Sequence, residues 1–454
     1  MFDRHPIVQR FHRLSPAQLL LLFYSLAIVI STIVLSFPFV YQQGVYVPFI
    51  DRLFVAVSAL SVTGLTPIDI GESLSVSGTI VLALILQLGA VGVMVISTFI
   101  WLLIGKKIGL SERRLIKQDL NQTSFGGMVQ LIKQILLVIL LIEGISFLLL
   151  GTYFLRYFPN PLDAYYHGFF STISAISNGG FSLFSNSLEP YKHDYFVQTI
   201  VMLLIIFGAI GFPVLIEVKQ FLFRRRTKKQ TYRFSLFTKV TTVTFFSFII
   251  IGTLCIYLFD VVHFFKGKAW HESLFYALFQ SVTTRSAGLS TLDVSQLTDA
   301  NHLFMALLMF IGASPSSAGG GIRTTTFALV IIFLITYARG GRKVRIFKRE
   351  VYDEDLTKAV MITIFAVFLV FFSLLFMTVI ESFSLKELLF EVTSAFGTVG
   401  LSLGITSELT TFSKIVLMVL MFIGRIGLVT FLYSFRDYAT ASSIAYPKER
   451  IIIG

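Results

Sequence analysis

Four short stretches of this chain share one order of residue types: small hydroxyl, Ala and apolar residues, then a glycine followed by Leu or Phe. They are Ser58-Ala59-Leu60-Ser61-Val62-Thr63-Gly64-Leu65, Ser174-Ala175-Ile176-Ser177-Asn178-Gly179-Gly180-Phe181, Ser281-Val282-Thr283-Thr284-Arg285-Ser286-Ala287-Gly288-Leu289 and Ser394-Ala395-Phe396-Gly397-Thr398-Val399-Gly400-Leu401. The aligned glycines Gly64, Gly180, Gly288 and Gly400 recur at intervals of 116, 108 and 112 residues. One copy alone reads as a helix closing on a glycine in an ordinary loop. Four copies in register make an internal repeat. The chemistry open to such a set is cation dehydration. Backbone carbonyls turned toward a common axis can replace an ion's water shell, and each short helix points its negative dipole end at the same place. Glycine leaves the lumen clear and reaches backbone angles that other residues avoid.

The elements that must position these turns are apolar. Of the 454 residues 55% are hydrophobic and only 14% charged, against about 25% charged in a soluble domain. A spanning helix needs roughly 20 apolar residues, and eight runs qualify: 17–37, 75–104, 129–155, 196–222, 236–259, 302–337, 359–380 and 413–435. Between the members of each successive pair lies one glycine segment too short to cross. The expected fold is therefore an all-α integral membrane protein of four tandem repeats, each a helix, pore helix, filter turn and helix. That gives eight spanning helices around one central pore. The repeats divide at 1–105, 106–225, 226–345 and 346–454. The first run is long for a signal peptide, and Ser36-Phe37-Pro38 is no small-residue cleavage site, so a retained span is expected.

Basic residues set the expected orientation. The N-terminus, 105–133, 219–239, 339–358 and the tail together hold 27 Lys and Arg against 9 acids. In the four glycine-bearing loops acids outnumber bases. Both termini are expected in the cytoplasm and the glycine segments enter from outside, in a multi-pass cell-membrane protein. The net charge of +12 is then mostly topology, split among loops; it forms no nucleic-acid groove. The single cysteine, Cys255, excludes an intramolecular disulfide. His167 and His193 lack any ligand or nucleophile constellation nearby, so no enzyme is expected.

The third repeat departs from the others. Its second helix is interrupted by Gly312, Ala313, Ser314, Pro315, Ser316, Ser317, Ala318, Gly319, Gly320 and Gly321, followed by Ile322-Arg323-Thr324. Proline and successive glycines break a helix. A phosphate-binding loop is the rival reading, but the Gly-Lys-Ser/Thr ending is missing. Arg425 lies deep in the last run, where an unpaired charge costs about 2.5–3.5 kcal/mol. It either faces the pathway or pairs with Glu143 or Glu217. Glu217 sits near a cytoplasmic end, where snorkelling explains it equally well. Arg285 is expected to point backward and brace the third turn against an acid of an outer loop.

The whole chain resembles the ion-conducting subunit of the Trk, Ktr and HKT potassium-transporter superfamily, and the KtrB type most of all. Thr398-Val399-Gly400 resembles the start of a potassium-channel filter, and no extra helix pair precedes the first repeat as in Trk subunits. The resemblance implies potassium-binding positions at Val62, Thr63, Gly64, Asn178, Gly179, Gly180, Ser286, Ala287, Gly288, Thr398, Val399 and Gly400. Glycine at all four aligned positions implies potassium over sodium. It further implies a gate at 312–322, with Arg425 as a positive barrier or latch beneath the filter. It implies a homodimer on a cytoplasmic ring of nucleotide-binding, KtrA-type subunits and no cofactor beyond the transported potassium, and leaves open whether sodium stimulates uptake. The alternative is a sodium-coupled cation symporter holding its substrate between broken helices. Arg224–Lys229 and Arg339–Arg349 suit anionic membrane lipids or the soluble partner, at about 1 kcal/mol per basic residue for lipid. The apolar end Ile451-Ile452-Ile453-Gly454 suits burial between two protomers.

Overall fold

The computed structural model describes residues 14–93, 95, 96, 98, 113–116, 128–223, 232–435, 449 and 451. The basic stretch 224–229 lies outside the described residues, as does the apolar tail apart from Ile451. The described chain is almost wholly helical. Four helices are long and apolar enough to cross a membrane: α1 (Pro16–Leu35), α4 (Met128–Phe154), α8 (Leu236–Asp260) and α12 (Asp353–Ile380). Their faces carry exposed apolar side chains such as Val29, Ile33, Leu148, Ile250, Phe368 and Phe371. A helix that stays apolar where it is exposed is suited to lipid.

Each long helix is followed by a short one: α2 (Phe49–Ser61), α5 (Pro161–Ser177), α9 (Trp270–Thr283) and α13 (Leu385–Gly397). With 13 to 17 residues they span roughly 20–26 Å, short of a bilayer's apolar core. Every one has an acid in its first turn, namely Asp51, Asp163, Glu272 and Glu387. That placement offsets the positive dipole end and leaves the opposite end negative. The C-terminal halves of α2 and α13 are buried without interruption, from Phe54 to Ser61 and from Phe390 to Gly397.

The remaining four apolar runs are not straight helices, and here the structure corrects the expectation of a single interruption. In the first, α3 (Val76–Val91) stops at Gly92. The second bends by 106° between α6 (Tyr195–Ala209) and α7 (Phe212–Phe223). The third splits into α10 (Asp299–Phe310) and α11 (Thr324–Ala338), and the fourth bends by 99° between α14 (Thr411–Ile426) and α15 (Leu428–Ser434). Length and composition thus give four membrane-crossing helices among the described residues, or six if each bent pair is one span. Between α11 and α12 lies a small hairpin, β1 (Arg345–Ile346) and β2 (Arg349–Glu350). Its two-residue turn holds Phe347 and Lys348 at positive φ, the turn geometry that suits strand twist.

Candidate functional site

Each of the four short helices is followed by a residue of positive φ: Val62, Asn178, Ser286 and Thr398, with φ of 58°, 57°, 81° and 48°. In α2, α5 and α13 that residue caps the helix, whereas α9 ends at Thr283 with a right-handed cap at Thr284. Two residues later Gly64, Gly180, Gly288 and Gly400 again have positive φ, from 69° to 99°. Left-handed Val and Thr are strained, and a run of such residues persists only where its surroundings over-determine it. The caps supply part of that determination. The amides of Thr63, Gly179 and Val399 donate to the carbonyls of Ser58, Ser174 and Ser394 at 2.7–2.8 Å, while Val62, Asn178 and Thr398 donate to Ala59, Ala175 and Ala395. This is the paired bonding of a Schellman cap. The hydroxyls of Ser58 and Ser394 accept from the Gly64 and Gly400 amides at 3.0 Å, and Ser174 donates to the Phe181 carbonyl at 2.6 Å.

These turns meet. A Cβ on Gly64 would lie 2.7 Å from Gly180 Cα, and one on Gly180 would lie 3.0 Å from Gly64 Cα and from the Ala287 carbonyl. One on Gly288 would lie 3.0 Å from Gly400 Cα, and one on Gly400 would lie 3.1 Å from Gly64 Cα. The four glycines therefore follow one another in a closed ring, each touching backbone of its neighbour. An added Cβ would overlap backbone at Gly64, Gly288 and Gly400 and would crowd it at Gly180. Beside the ring opens a cavity of about 550 Å³ lined by Gly180, Gly288, Gly400, Asp69, Glu189 and Asp293. Burial and the neighbouring Asp293 hold the Glu189 carboxyl above the usual carboxylate range.

The broken helices pack behind the turns. Gly89, Gly208 and Gly424 sit so close to the carbonyls of Leu60, Ile176 and Phe396 that a Cβ on any of them would fall on the oxygen. Three residues further on, Gly92, Gly211 and Gly427 have φ of 99°, 102° and 92°, and the helix ends there. The corresponding residue of the third repeat is Pro315, and the chain makes a long loop instead. That loop runs back to the turns. Gly320 donates its amide to Ser286 Oγ at 3.2 Å, and Ser286 Oγ donates to the Thr398 carbonyl at 2.7 Å. Ser314 and Ala318 amides donate to the Ala209 and Gly208 carbonyls at 3.0 Å, and the Phe212 amide donates to the Ser316 carbonyl at 2.8 Å. Arg425, buried, donates to the Ala318 carbonyl of the loop and to the Gly89 and Ala90 carbonyls at the end of α3. Hydrogen bonds from a charged donor contribute about 1.5–3 kcal/mol each, enough to offset part of the lost helix ladder.

The four turns thus meet as one ring of backbone contributed by four stretches of a single chain. Residues 22–443 match the family described as TrkH, cation transport protein. The chain belongs to this TrkH family. It is 54% identical over 441 residues to Ktr system potassium uptake protein D of Bacillus subtilis, covering 97% of this chain and 98% of that protein. It is 36% identical over 448 residues to Ktr system potassium uptake protein B of the same organism, covering 97% of each. The fold matches the crystal structure of the potassium transporter TrkH from Vibrio parahaemolyticus with a TM-score of 0.70. That match has 18% identity and covers 92% of this chain and 83% of that one.

Within this TrkH-family fold two expected pairings are corrected. Arg425 makes no ion pair with Glu143 or Glu217, because backbone carbonyls surround it. Glu143 instead accepts from Gln87, and Glu217 accepts from the Ser235 amide at 3.1 Å. Arg285, fully buried, finds no acid among the described residues. It lies 4.5 Å from the Phe248 ring centroid and donates to the Ile311 carbonyl at 2.9 Å, just ahead of the loop. Sequence reasoning also missed the three breaks outside the third repeat. Their signal was present as Gly89-Ala90-Val91-Gly92, Gly208-Ala209-Ile210-Gly211 and Gly424-Arg425-Ile426-Gly427.

Proposed function

We propose that this TrkH-family chain moves potassium across the cell membrane through a gated, channel-like pore. Its selectivity filter is formed by Val62–Gly64, Asn178–Gly180, Ser286–Gly288 and Thr398–Gly400, one turn from each of four repeats. The observation that carries this reading is the closed ring of four positive-φ glycines, in a chain 54% identical to a potassium uptake protein. Carbonyls held at four equivalent turns can replace potassium's hydration shell at little reorganisation cost. The acids of the cavity beside the ring raise the local cation concentration. Residues Gly312–Gly321 are the gate, with Arg425 as its latch.

In this reading the eight apolar runs surround the pore, both termini are cytoplasmic, and two protomers sit on a ring of nucleotide-binding subunits. The relatives' designation as members of a Ktr system fits a pore with separate regulatory subunits. Sodium-coupled symport is the competing mechanism, and it differs in one measurable respect. A passive pore carries rubidium down its own gradient with no sodium present.

The test is rubidium, potassium and sodium flux in proteoliposomes. Gly64→Ser and Gly400→Ser are expected to relax the preference for potassium over sodium, because each adds a side chain where backbone already lies. Unchanged ion ratios in both variants would remove these glycines from the filter. Flux that stops without sodium would favour the symporter.

A further inference from the structure

The loop between α10 and α11 is held by three guanidinium groups, and they do different things. Arg285 holds the Ile311 carbonyl at the loop's start, and Arg425 ties the Ala318 carbonyl to α3. Arg323, the residue preceding α11, donates to the Gly319 carbonyl and, at 3.4 Å, to the Ser314 carbonyl. Both of its acceptors belong to the loop itself. The Ser317 hydroxyl reinforces the same turn by donating to Ser314 O at 2.6 Å, and Thr324 Oγ1 donates to Ser314 Oγ at 3.0 Å.

We propose that Arg323 is a positioning residue, a clasp that fixes the shape in which the loop can be latched. With Ser314 and Gly319 drawn to one guanidinium, Ala318 presents its carbonyl to Arg425 and Gly320 presents its amide to Ser286. Without the clasp Arg425 has no fixed acceptor in the loop. Both bonds come from one guanidinium nitrogen, Nη1, whose direction the rigid plane fixes; an ammonium on a flexible stem does not hold that geometry. Arg323 and Arg425 are also near enough for their charges to oppose one another. Each is tolerated because carbonyl oxygens accept from it. The clasp rests on the pore reading above and deepens it, since it regulates the same pathway.

The experiment is rubidium uptake into proteoliposomes holding this chain alone, comparing the parent with Arg323→Gln, Arg323→Lys, Arg425→Gln, the Arg323→Gln/Arg425→Gln double variant and a deletion of Ala313–Ala318. Size-exclusion profiles establish folding. Both Arg323 variants are expected to raise uptake roughly tenfold, the population shift that follows loss of a hydrogen bond from a charged donor. The double variant should conduct no faster than Arg425→Gln alone, because the clasp acts through the latch. The ratio of potassium to sodium should not move. In a Cys255→Ala background, Ser317→Cys should react faster with a water-soluble thiol reagent once Arg323 is replaced, an effect that general destabilisation would not confine to the loop. If Arg323→Gln does not fold, Arg323→Lys carries the same decision. Slow uptake in Arg323→Lys would mean that charge alone suffices, and additive effects in the double variant would mean that the two arginines act separately. Either result overturns the clasp. If the deletion speeds uptake and the Arg323 variants do not, the gate stands and the clasp falls. If the deletion itself conducts no faster than the parent, the gate reading fails and the clasp with it.

Discussion

The third repeat and the other three solve the same packing problem differently. In repeats one, two and four the pore helix closes with a Schellman cap, and a glycine of the following helix lies against its penultimate carbonyl. In the third, the Ala287 amide bonds Thr283, and Thr283 Oγ1 donates to the Leu289 carbonyl at 2.6 Å. The matching glycine, Gly312, packs on the Gly320 carbonyl of its own loop. Thus three turns are backed by a neighbouring helix and one by a loop held through hydrogen bonds. On the pore reading proposed above, that loop is the one support that can move without dismantling the rest.

The largest expected effects sharpen the symmetric half of that comparison. Gly288→Ala and Gly400→Ala would each drive a Cβ onto a carbonyl oxygen, Val399 and Thr63 respectively, besides straining a positive φ. Gly180→Ala meets its nearest atoms only at 3.0–3.1 Å. The first two should lose potassium preference by more than roughly tenfold, since displacing a carbonyl changes the coordination that sets selectivity. Gly180→Ala should keep a measurable part of it. Equal losses at all three positions, measured as potassium-to-sodium flux ratios, would show that strain and not collision decides.

How much of this was legible beforehand follows from what each feature depends on. The turns were visible because the second positive-φ position after each short helix is a glycine, and four such glycines at near-constant spacing stand out in a string of letters. The loop was visible because Pro315 and Gly319–Gly321 break any helix. The breaks at Gly92, Gly211 and Gly427 were not, because a single glycine among Leu, Ile and Val is tolerated inside a helix at about 1 kcal/mol. Nothing local distinguishes a kink from a close packing contact. The partners of Arg285 and Arg425 were out of reach for another reason. A carbonyl is offered by every residue, so only three-dimensional placement says which one accepts.

Arg285 gives the next prediction, on the asymmetric side. Arg285→Ala removes a fully buried side chain, leaving a cavity and an unpaired Ile311 carbonyl. It should destabilise the protein by about 2–4 kcal/mol. Arg285→Met fills the space without a charge and should recover part of that loss, since a lone buried cation is itself costly. Thermal unfolding in detergent orders the three proteins. Should Arg285→Met unfold no later than Arg285→Ala, the guanidinium is stabilising through bonds beyond the one to Ile311.

A smaller effect separates the two bent helices. Around Gly427 nothing lies within 4 Å of an added Cβ, whereas at Gly211 it would come within 2.7 Å of the Pro315 carbonyl. With φ 92° and ψ 137° at this position, Gly427→Ala should therefore cost only its backbone strain, about 1–3 kcal/mol, with flux unaltered. Gly211→Ala should push on the loop and raise rubidium uptake severalfold. Similar uptake in the two variants would mean that the loop does not depend on the bend in the second repeat.

The smallest effect concerns the approach to the ring, and its sign follows from Glu189. Burial and the charge of Asp293 raise the Glu189 carboxyl above its ordinary range. It is negative above its raised pKa and loses that charge as pH falls through it, before an unshifted carboxylate would. The cavity it lines also holds Asp69 and Asp293. Mild acidification is expected to neutralise Glu189. Attraction in a cavity open to solvent is screened, so the effect belongs to cation capture and is modest. Glu189→Gln should raise the apparent Km for rubidium about twofold at low salt, leave maximal flux unchanged and flatten the dependence of Km on mild acidification. Added choline chloride should shrink the difference between variant and parent. A variant whose Km still climbs on acidification as steeply as the parent's would move the titrating group elsewhere in the cavity.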